Sequence, residues 1–124
     1  MKISFVVAVY HNEGAVSRTH EKINSVFESD LPQHDYEIVF VDDGSKDGSL
    51  REILSLREQD SRVKVITFTR NFGQMAAMLA GFNEATGDAV INISADLQDP
   101  VELIPQMVEK WQGGAETVIC YRTD

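Results

Sequence analysis

The stretch that says most about the fold is residues 89–100, AVINISADLQDP. Its first five residues are mostly apolar and predict a buried strand. A polar run from Ser94 to Pro100 follows at once, and open α/β sheets bind ligands at the carboxyl ends of their strands. Asp96 and Gln98 carry hard oxygen donors, which Mg²⁺ or Mn²⁺ accepts together with substrate phosphates. This stretch therefore predicts a metal site at a strand end.

A second acidic turn, Asp42-Asp43-Gly44-Ser45, follows the apolar run Tyr36–Val41. A strand-to-helix turn is one explanation, since Ser45 or Asp47 would cap a helix that begins near Ser49. A cap needs only one acid, however, and the other carboxylate is available to accept hydrogen bonds from a base or a ribose. Two acidic strand ends in one small sheet predict a nucleotide–metal site.

Other polar residues at predicted strand ends have two interpretations. Asp99 precedes Pro100, and an acid before a proline is typical of a helix N-cap. Asp99 therefore has a structural explanation, whereas Asp96 and Gln98 have none. His11 fits a solvated loop, or a functional position. Asn71 fits a helix cap, whereas Arg70 at a strand end would face a base or a phosphate.

The order of the apolar segments predicts the fold class. Helical segments with one apolar face each alternate with five predicted strands, most of them apolar throughout, as in parallel strands covered on both faces. The predicted strands are Ile3–Tyr10, Tyr36–Val41, Val63–Thr69, Ala89–Ile93 and Thr117–Tyr121. The predicted helix faces are Val16, Thr19, Ile23, Val26 and Phe27; Leu50, Ile53 and Leu54; Met75, Met78, Leu79 and Phe82; and Ile104, Met107, Val108 and Trp111.

This alternation predicts an α/β fold with a doubly wound, mostly parallel sheet and flanking helices, a Rossmann-like nucleotide-binding half. We expect the first and fourth strands to be neighbours. Tyr10, Asp43 and Asp96 would then converge on one crevice, because ligand crevices open where the strand order reverses.

Composition narrows the class of protein. The 124 residues fit one domain, and the net charge of −9 disfavours nucleic acid, whose phosphates are held by clustered Lys and Arg. Cys120 is the one cysteine, which excludes an intramolecular disulfide and fits a reducing compartment. No apolar stretch approaches the ~18 residues of a membrane span, and no signal peptide is evident, so we expect a cytoplasmic location.

Four motifs, in order along the chain, resemble the N-terminal half of family 2 glycosyltransferases of the GT-A type. Within that family the chain is most similar to the polyprenyl-phosphate sugar transferases, the group of bactoprenol glucosyltransferases and dolichol-phosphate mannose synthases. The matching motifs are Val7–Tyr10 with Asn12-Glu13, Val41–Ser45, Phe68–Gly73 and Ala95–Pro100. The resemblance covers almost the whole chain and implies a GT-A fold.

The resemblance also implies roles for individual residues. Ala8, Tyr10 and Asp43, with Asp42, would line the pocket for the base and ribose. Asp96 would be the catalytic residue, and with Gln98 it would hold Mg²⁺ or Mn²⁺ on the donor diphosphate. The remaining residues expected to contact the nucleotide sugar are Asn12, Glu13, Arg70, Ser94 and Ala95.

The reaction that the family implies is an inverting transfer of a sugar from a nucleotide sugar, such as UDP-glucose, to a polyprenyl phosphate. An acceptor phosphate is already anionic and needs little general-base help. For the full-length relatives this places the enzyme at the cytoplasmic face of the inner membrane. Two departures stand out: Ala8 replaces a usual proline, and Ser94 replaces a frequent aspartate, which should weaken metal binding.

Relatives of this kind continue well beyond 124 residues, so we expect residues 1–124 to be the donor-binding portion, truncated on the C-terminal side. Such a portion would bind a uridine nucleotide without transferring sugar, and an open edge at Thr117–Tyr121 would favour a homo-oligomer. The alternatives are a non-catalytic nucleotide-binding fragment and a receiver-type signalling domain. In receivers, however, the acidic pair follows the first strand instead of the second.

Overall fold

The computed structural model describes residues 1–95 and 101–116. Several predictions concern residues outside these ranges. They are the strand Thr117–Tyr121, the metal ligands Asp96 and Gln98, the N-cap Asp99 and the buried thiol of Cys120. In chain order the elements are β1 (Lys2–Val9), α1 (Ala15–Asp30), β2 (Asp35–Asp42), α2 (Ser49–Gln59), β3 (Val63–Thr67), α3 (Gln74–Glu84), β4 (Ala89–Ser94), a 3₁₀ turn (Val101–Leu103) and α4 (Ile104–Gln112).

The four strands form one parallel sheet in the order β3-β2-β1-β4. The predicted adjacency of the first and fourth strands is confirmed, with Ala8 level with Ser94. On the other side of β1, Val9 is level with Asp42 at the end of β2. The carboxyl ends of β1, β2 and β4 therefore meet at one edge of the sheet.

Most of the core lies on one face of the sheet, beneath α1, α2 and α4. These helices bury the apolar side chains that their periodicity predicts, such as Ile23, Ile53 and Val108. At the centre, the Phe5 ring meets the Phe27 ring edge-on, with 5.6 Å between their centroids. This face buries the larger share of the apolar surface and supplies most of the hydrophobic stabilisation.

The opposite face carries α3, and here the predicted helix face is wrong. Met75, Leu79 and Phe82 are 69%, 60% and 40% exposed, whereas Ala77 and Gly81 are buried against the sheet. A Cβ added to Gly81 would lie 2.3 Å from Cγ1 of Val6, so α3 approaches β1 too closely for a larger residue. The apolar periodicity does not predict this face, because Ala77 and Gly81 are much less hydrophobic than the methionine, leucine and phenylalanine side chains on the other face.

The prediction that most strands are covered on both faces holds only for the central pair. β1 and β2 are buried almost throughout, whereas β4 alternates and exposes Val90 and Asn92. The reason is that α3 packs over β1 and β2. Among the described residues, no helix covers that side of β4.

A buried carboxylate ties β2 to the segment that follows α3. Glu37 accepts hydrogen bonds from Ser4 Oγ at 2.5 Å and from the Thr86 N–H at 2.7 Å. Lys64 Nζ lies 2.7 Å from the other carboxylate oxygen. Burial raises the pKa of Glu37, but hydrogen bonds from Lys64, Ser4 and Thr86 outweigh it and lower the pKa to about 2.

Candidate functional site

The carboxyl ends of β1, β2 and β4 and the start of α3 surround an open crevice of about 390 Å³. Its position at the point where the strand order reverses is the usual ligand position of open α/β sheets. The residues that line it are Ala8, Val9, Tyr10, Asn12, Asp43, Asn71, Gly73, Gln74 and Ser94.

Asp43 is the acidic residue in this lining, and its carboxylate holds the loop before α3. Oδ1 accepts the Phe72 N–H at 2.7 Å, and Oδ2 accepts the Gly73 N–H at 3.0 Å. Asn71 Nδ2 donates to Oδ2 at 3.2 Å, and because the N-cap of α3 is Gly73, the predicted cap role of Asn71 is wrong. Asp43 therefore anchors one wall of the crevice.

Asp42 lies elsewhere, although it precedes Asp43 directly. Successive side chains of a strand point to opposite faces, so Asp42 points to the side of Phe40, beneath α1 and α2. It is 1% exposed, and its Oδ1 has no hydrogen-bond partner among the described residues. The structure does not bring Asp42 into the crevice lining.

The loop from β1 to α1 rests on side chains from the β2–α2 segment. Five consecutive backbone N–H groups, of residues 10 to 14, each meet a side-chain oxygen, and four of those oxygens lie 34 to 38 positions away. The donor–acceptor pairs are Tyr10 with Asn12 (2.8 Å), His11 with Ser45 (3.0 Å), Asn12 with Ser49 (2.9 Å), Glu13 with Asp47 (3.4 Å) and Gly14 with Glu52 (2.8 Å).

The same segments stabilise each other's helix starts. Glu52 on α2 accepts the N–H groups of Gly14 and Ser17 at the start of α1. In return, Glu13 accepts the Gly48 N–H at the start of α2, at 2.6 Å. Carboxylates at helix N-termini satisfy unpaired N–H groups and favour the helix dipole. Glu13 therefore caps a helix, and the structure does not place it in the crevice lining.

The prediction that Ser45 or Asp47 caps α2 is confirmed for Asp47. Asp47 Oδ1 accepts the Ser49 N–H at 3.0 Å, as expected, whereas Ser45 binds the loop residue His11 instead. Burial raises the pKa of Asp47, but hydrogen bonds from Ser49 and Glu13 outweigh it and lower the pKa below its ordinary value.

Two further predicted residues lie outside the crevice lining. The Arg70 guanidinium packs over the Phe72 ring, 4.6 Å from its centroid, and Ala95 is buried in the main core. Of the predicted site residues, the structure brings together Ala8, Tyr10, Asn12, Asp43 and Ser94. It adds Val9, Asn71 and Gly73, which lie within the matched motifs, and Gln74, which directly follows one of them.

In the sequence, the predicted metal ligands come shortly after a residue of the crevice lining. Ser94 lines the crevice, and Asp96 and Gln98 come two and four positions later. Their carboxylate and amide oxygens suit Mg²⁺ or Mn²⁺ in donor chemistry. Within residues 1–95 and 101–116, no three His, Cys, Asp or Glu side chains gather into a metal-binding group.

None of the helices in the described ranges combines the length and the apolar character that a membrane crossing requires.

Comparison with known proteins gives a consistent result. The family model Glycosyl transferase family 2 matches residues 4–124. A prophage bactoprenol glucosyl transferase homolog from Escherichia coli (strain K12) is 47% identical over 124 residues, which are 100% of this chain and 40% of that protein. The chain thus spans less than half the length of this relative.

Two solved structures share the fold. Mannosyltransferase PcManGT from Pyrobaculum calidifontis, in complex with GDP-Man and Mn²⁺, matches with a TM-score of 0.72, 25% identity and coverage of 94% of this chain and 33% of that chain. S. aureus TarS 1-349 in complex with UDP-GlcNAc matches with a TM-score of 0.71, 25% identity and coverage of 91% and 32%. These matches and the strand order rule out the receiver-type alternative. The chain belongs to glycosyl transferase family 2.

Proposed function

We propose that this chain is the donor-binding half of an inverting glycosyltransferase, which transfers a sugar from a nucleotide sugar to a polyprenyl phosphate. The observation that carries the proposal is the crevice at the carboxyl ends of β1, β2 and β4, which gathers Tyr10, Asp43 and Ser94. The match to a bactoprenol glucosyl transferase homolog supports a glucosyl donor such as UDP-glucose and a polyprenyl-phosphate acceptor.

The crevice lining offers groups for both the nucleoside and the diphosphate of a nucleotide sugar. Tyr10 offers an aromatic ring for a base, and the carboxylate of Asp43 and the amide of Asn71 offer acceptors and donors for the base or ribose. Ser94 marks the diphosphate end, because Asp96 and Gln98 follow it in the chain. We assign the catalytic role to Asp96.

Asp96 and Gln98 are the residues that would hold Mg²⁺ or Mn²⁺. A divalent ion on the diphosphate neutralises the charge that develops on the leaving nucleotide. In a structural neighbour, Mn²⁺ accompanies GDP-Man. An acceptor phosphate is already anionic and attacks without a strong base.

Nucleotide titration tests the proposal. UDP-glucose, UDP and GDP-mannose are titrated into the chain with and without Mn²⁺, and backbone amide shifts are followed at Tyr10, Asp43 and Ser94. We expect UDP and UDP-glucose to shift all three amides, and Mn²⁺ to tighten binding. Asp96→Asn should remove the Mn²⁺ effect. Shifts confined to other surfaces, or none, contradict the proposal.

The residue at position 94 gives a sharper test of the metal assignment. Because one carboxylate holds a hard cation weakly until phosphates complete its shell, nucleotide-free binding of Mn²⁺ should be weak. Ser94→Asp should therefore tighten nucleotide-free Mn²⁺ binding by about tenfold, as measured by calorimetry. Ser94→Asn, which adds similar bulk without charge, is the matched control. Equal affinities in the Asp and Asn variants would place the metal elsewhere.

A transfer assay separates the donor-binding fragment from a complete enzyme. The chain is incubated with UDP-glucose, Mn²⁺ and undecaprenyl phosphate, and glucosyl-lipid is measured. We expect nucleotide binding without transfer. Glucosyl-lipid formed by this chain alone would show that residues 1–124 suffice for turnover.

A further inference from the structure

The loop between β1 and α1 holds a histidine that the proposed function leaves without a role. His11 has a φ of 54°, and it is the one residue other than glycine with a positive φ among residues 1–95 and 101–116. Left-handed backbone is uncommon for residues with a side chain, although Asn, Asp and His tolerate it best. Such conformations persist where the surrounding structure holds them, and they concentrate at functional sites.

The surroundings of His11 hold its backbone from both sides. Its N–H donates to Ser45 Oγ at 3.0 Å, in the turn that also carries Asp43. The neighbouring N–H groups of Tyr10 and Asn12 donate to Asn12 Oδ1 and Ser49 Oγ. All three donors are main-chain N–H groups, and none of these bonds uses the His11 imidazole.

That contact is the Tyr10 ring. The two rings are stacked, with 4.0 Å between their centroids and 25° between their planes. Tyr10 lines the crevice together with Ala8 and Asp43, and 45% of its surface is exposed. An exposed tyrosine normally exchanges between rotamers, and a stacked partner on one face restricts that exchange. Restricting a binding side chain in advance lowers the cost of binding.

We propose that His11 is a positioning residue of the donor site, whose imidazole holds the Tyr10 ring in the orientation that receives the nucleobase. This inference rests on the proposed function, because it assigns the base to Tyr10. It assigns the effect to the flat face of the imidazole and not to its charge. Another flat ring at position 11 should therefore serve, and a side chain without a ring should not.

Two substitutions separate the ring from the backbone conformation. His11→Asn removes the ring but tolerates the left-handed backbone, whereas His11→Phe keeps a ring and tolerates that backbone less well. We expect His11→Asn to weaken UDP binding about 3- to 10-fold in calorimetry, with a melting temperature no lower than that of the wild type. His11→Phe should recover most of the affinity although it melts lower. If His11 had only a structural role, UDP affinity would follow stability. His11→Asn would then bind UDP like the wild type, and His11→Phe would bind it more weakly.

A double-mutant cycle links the effect to Tyr10. In a Tyr10→Ala background, His11→Asn should cause no further loss of UDP affinity, because there is no ring left to position. Three results would overturn this inference and leave the proposed function standing. They are wild-type UDP affinity in His11→Asn, an equal loss of UDP affinity in His11→Asn and His11→Phe, and additive losses when His11→Asn is combined with Tyr10→Ala. Absence of UDP binding to the wild-type chain would instead overturn the proposed function, and this inference with it.

Discussion

At the scale of single residues, the pair Asp42 and Asp43 shows how strand geometry separates neighbours in sequence. The carboxylate of Asp43 accepts three hydrogen bonds from residues 71–73, whereas Asp42 is buried on the other side of the sheet. The two carboxylates differ in surroundings because consecutive strand residues face opposite ways. Asp43 therefore has two roles: it holds the loop before α3, and it lines the crevice.

This arrangement predicts that Asp43→Asn weakens the fold as well as nucleotide binding. The amide nitrogen of asparagine would face an N–H donor, since Oδ1 and Oδ2 both accept main-chain hydrogen bonds. We expect a loss of about 1.5–3 kcal/mol in the free energy of unfolding, the range for hydrogen bonds to charged groups. Urea denaturation measures it, with the exposed Asp35→Asn as the control. Unchanged stability would show that the carboxylate does not hold the loop.

Glu37 gives the fold a defined acid dependence. Its pKa is lowered from 4.5 to about 2 on folding, so its contribution is fully present above pH 4.5 and is lost as the pH falls towards 2. The contribution is on the order of 3 kcal/mol. Glu37→Gln should therefore be less stable than the wild type at pH 6, and the difference should shrink between pH 4.5 and 2.

Urea denaturation at several pH values measures this difference. The control is Glu58→Gln, which removes an exposed carboxylate from α2. A difference between the wild type and Glu37→Gln that stays constant down to pH 2 would show that Glu37 is not held ionised by its partners.

At the scale of elements, α3 packs through its small residues. Gly81→Ala improves intrinsic helix propensity by about 1 kcal/mol, yet its Cβ would lie 2.3 Å from Val6 Cγ1. We expect a net loss of about 1–3 kcal/mol from overpacking. Leu79→Ala, on the exposed side of the same helix, should change the stability by less than about 0.5 kcal/mol. The reverse order of effects in urea denaturation would mean that the large apolar side chains of α3 pack against the sheet.

At the scale of the whole molecule, the crevice joins four distant parts of the chain: the ends of β1, β2 and β4, and the start of α3. A ligand that bridges them should stabilise the fold by about 2.7 kcal/mol at 100 times its Kd. We expect UDP with Mn²⁺ to raise the melting temperature by roughly 10 °C in scanning calorimetry. Tyr10→Ala at the same UDP concentration should show a smaller rise. An unchanged melting temperature of the wild type would argue against a shared site.

The strands and helices could be predicted from the sequence because their signals are local. Apolar runs bounded by turn residues place β1 to β4 within two residues of their observed ends, and strict alternation indicates a parallel sheet. The face of α3 could not be predicted in this way. Which side of a helix meets the sheet depends on the distance of approach, and here Gly81 permits a contact that larger residues forbid.

By itself, the sequence determined the strand ends at which Ala8, Tyr10, Asp43 and Ser94 lie, and the parallel order brings those ends together. Only the tertiary structure decided which polar residues enter the crevice and which hold the loops around it. Glu13 and Glu52 cap each other's helices, and the N–H of His11 meets Ser45, across 34 to 38 positions of sequence. Contacts over such separations leave no local pattern, because they depend on how complete elements pack.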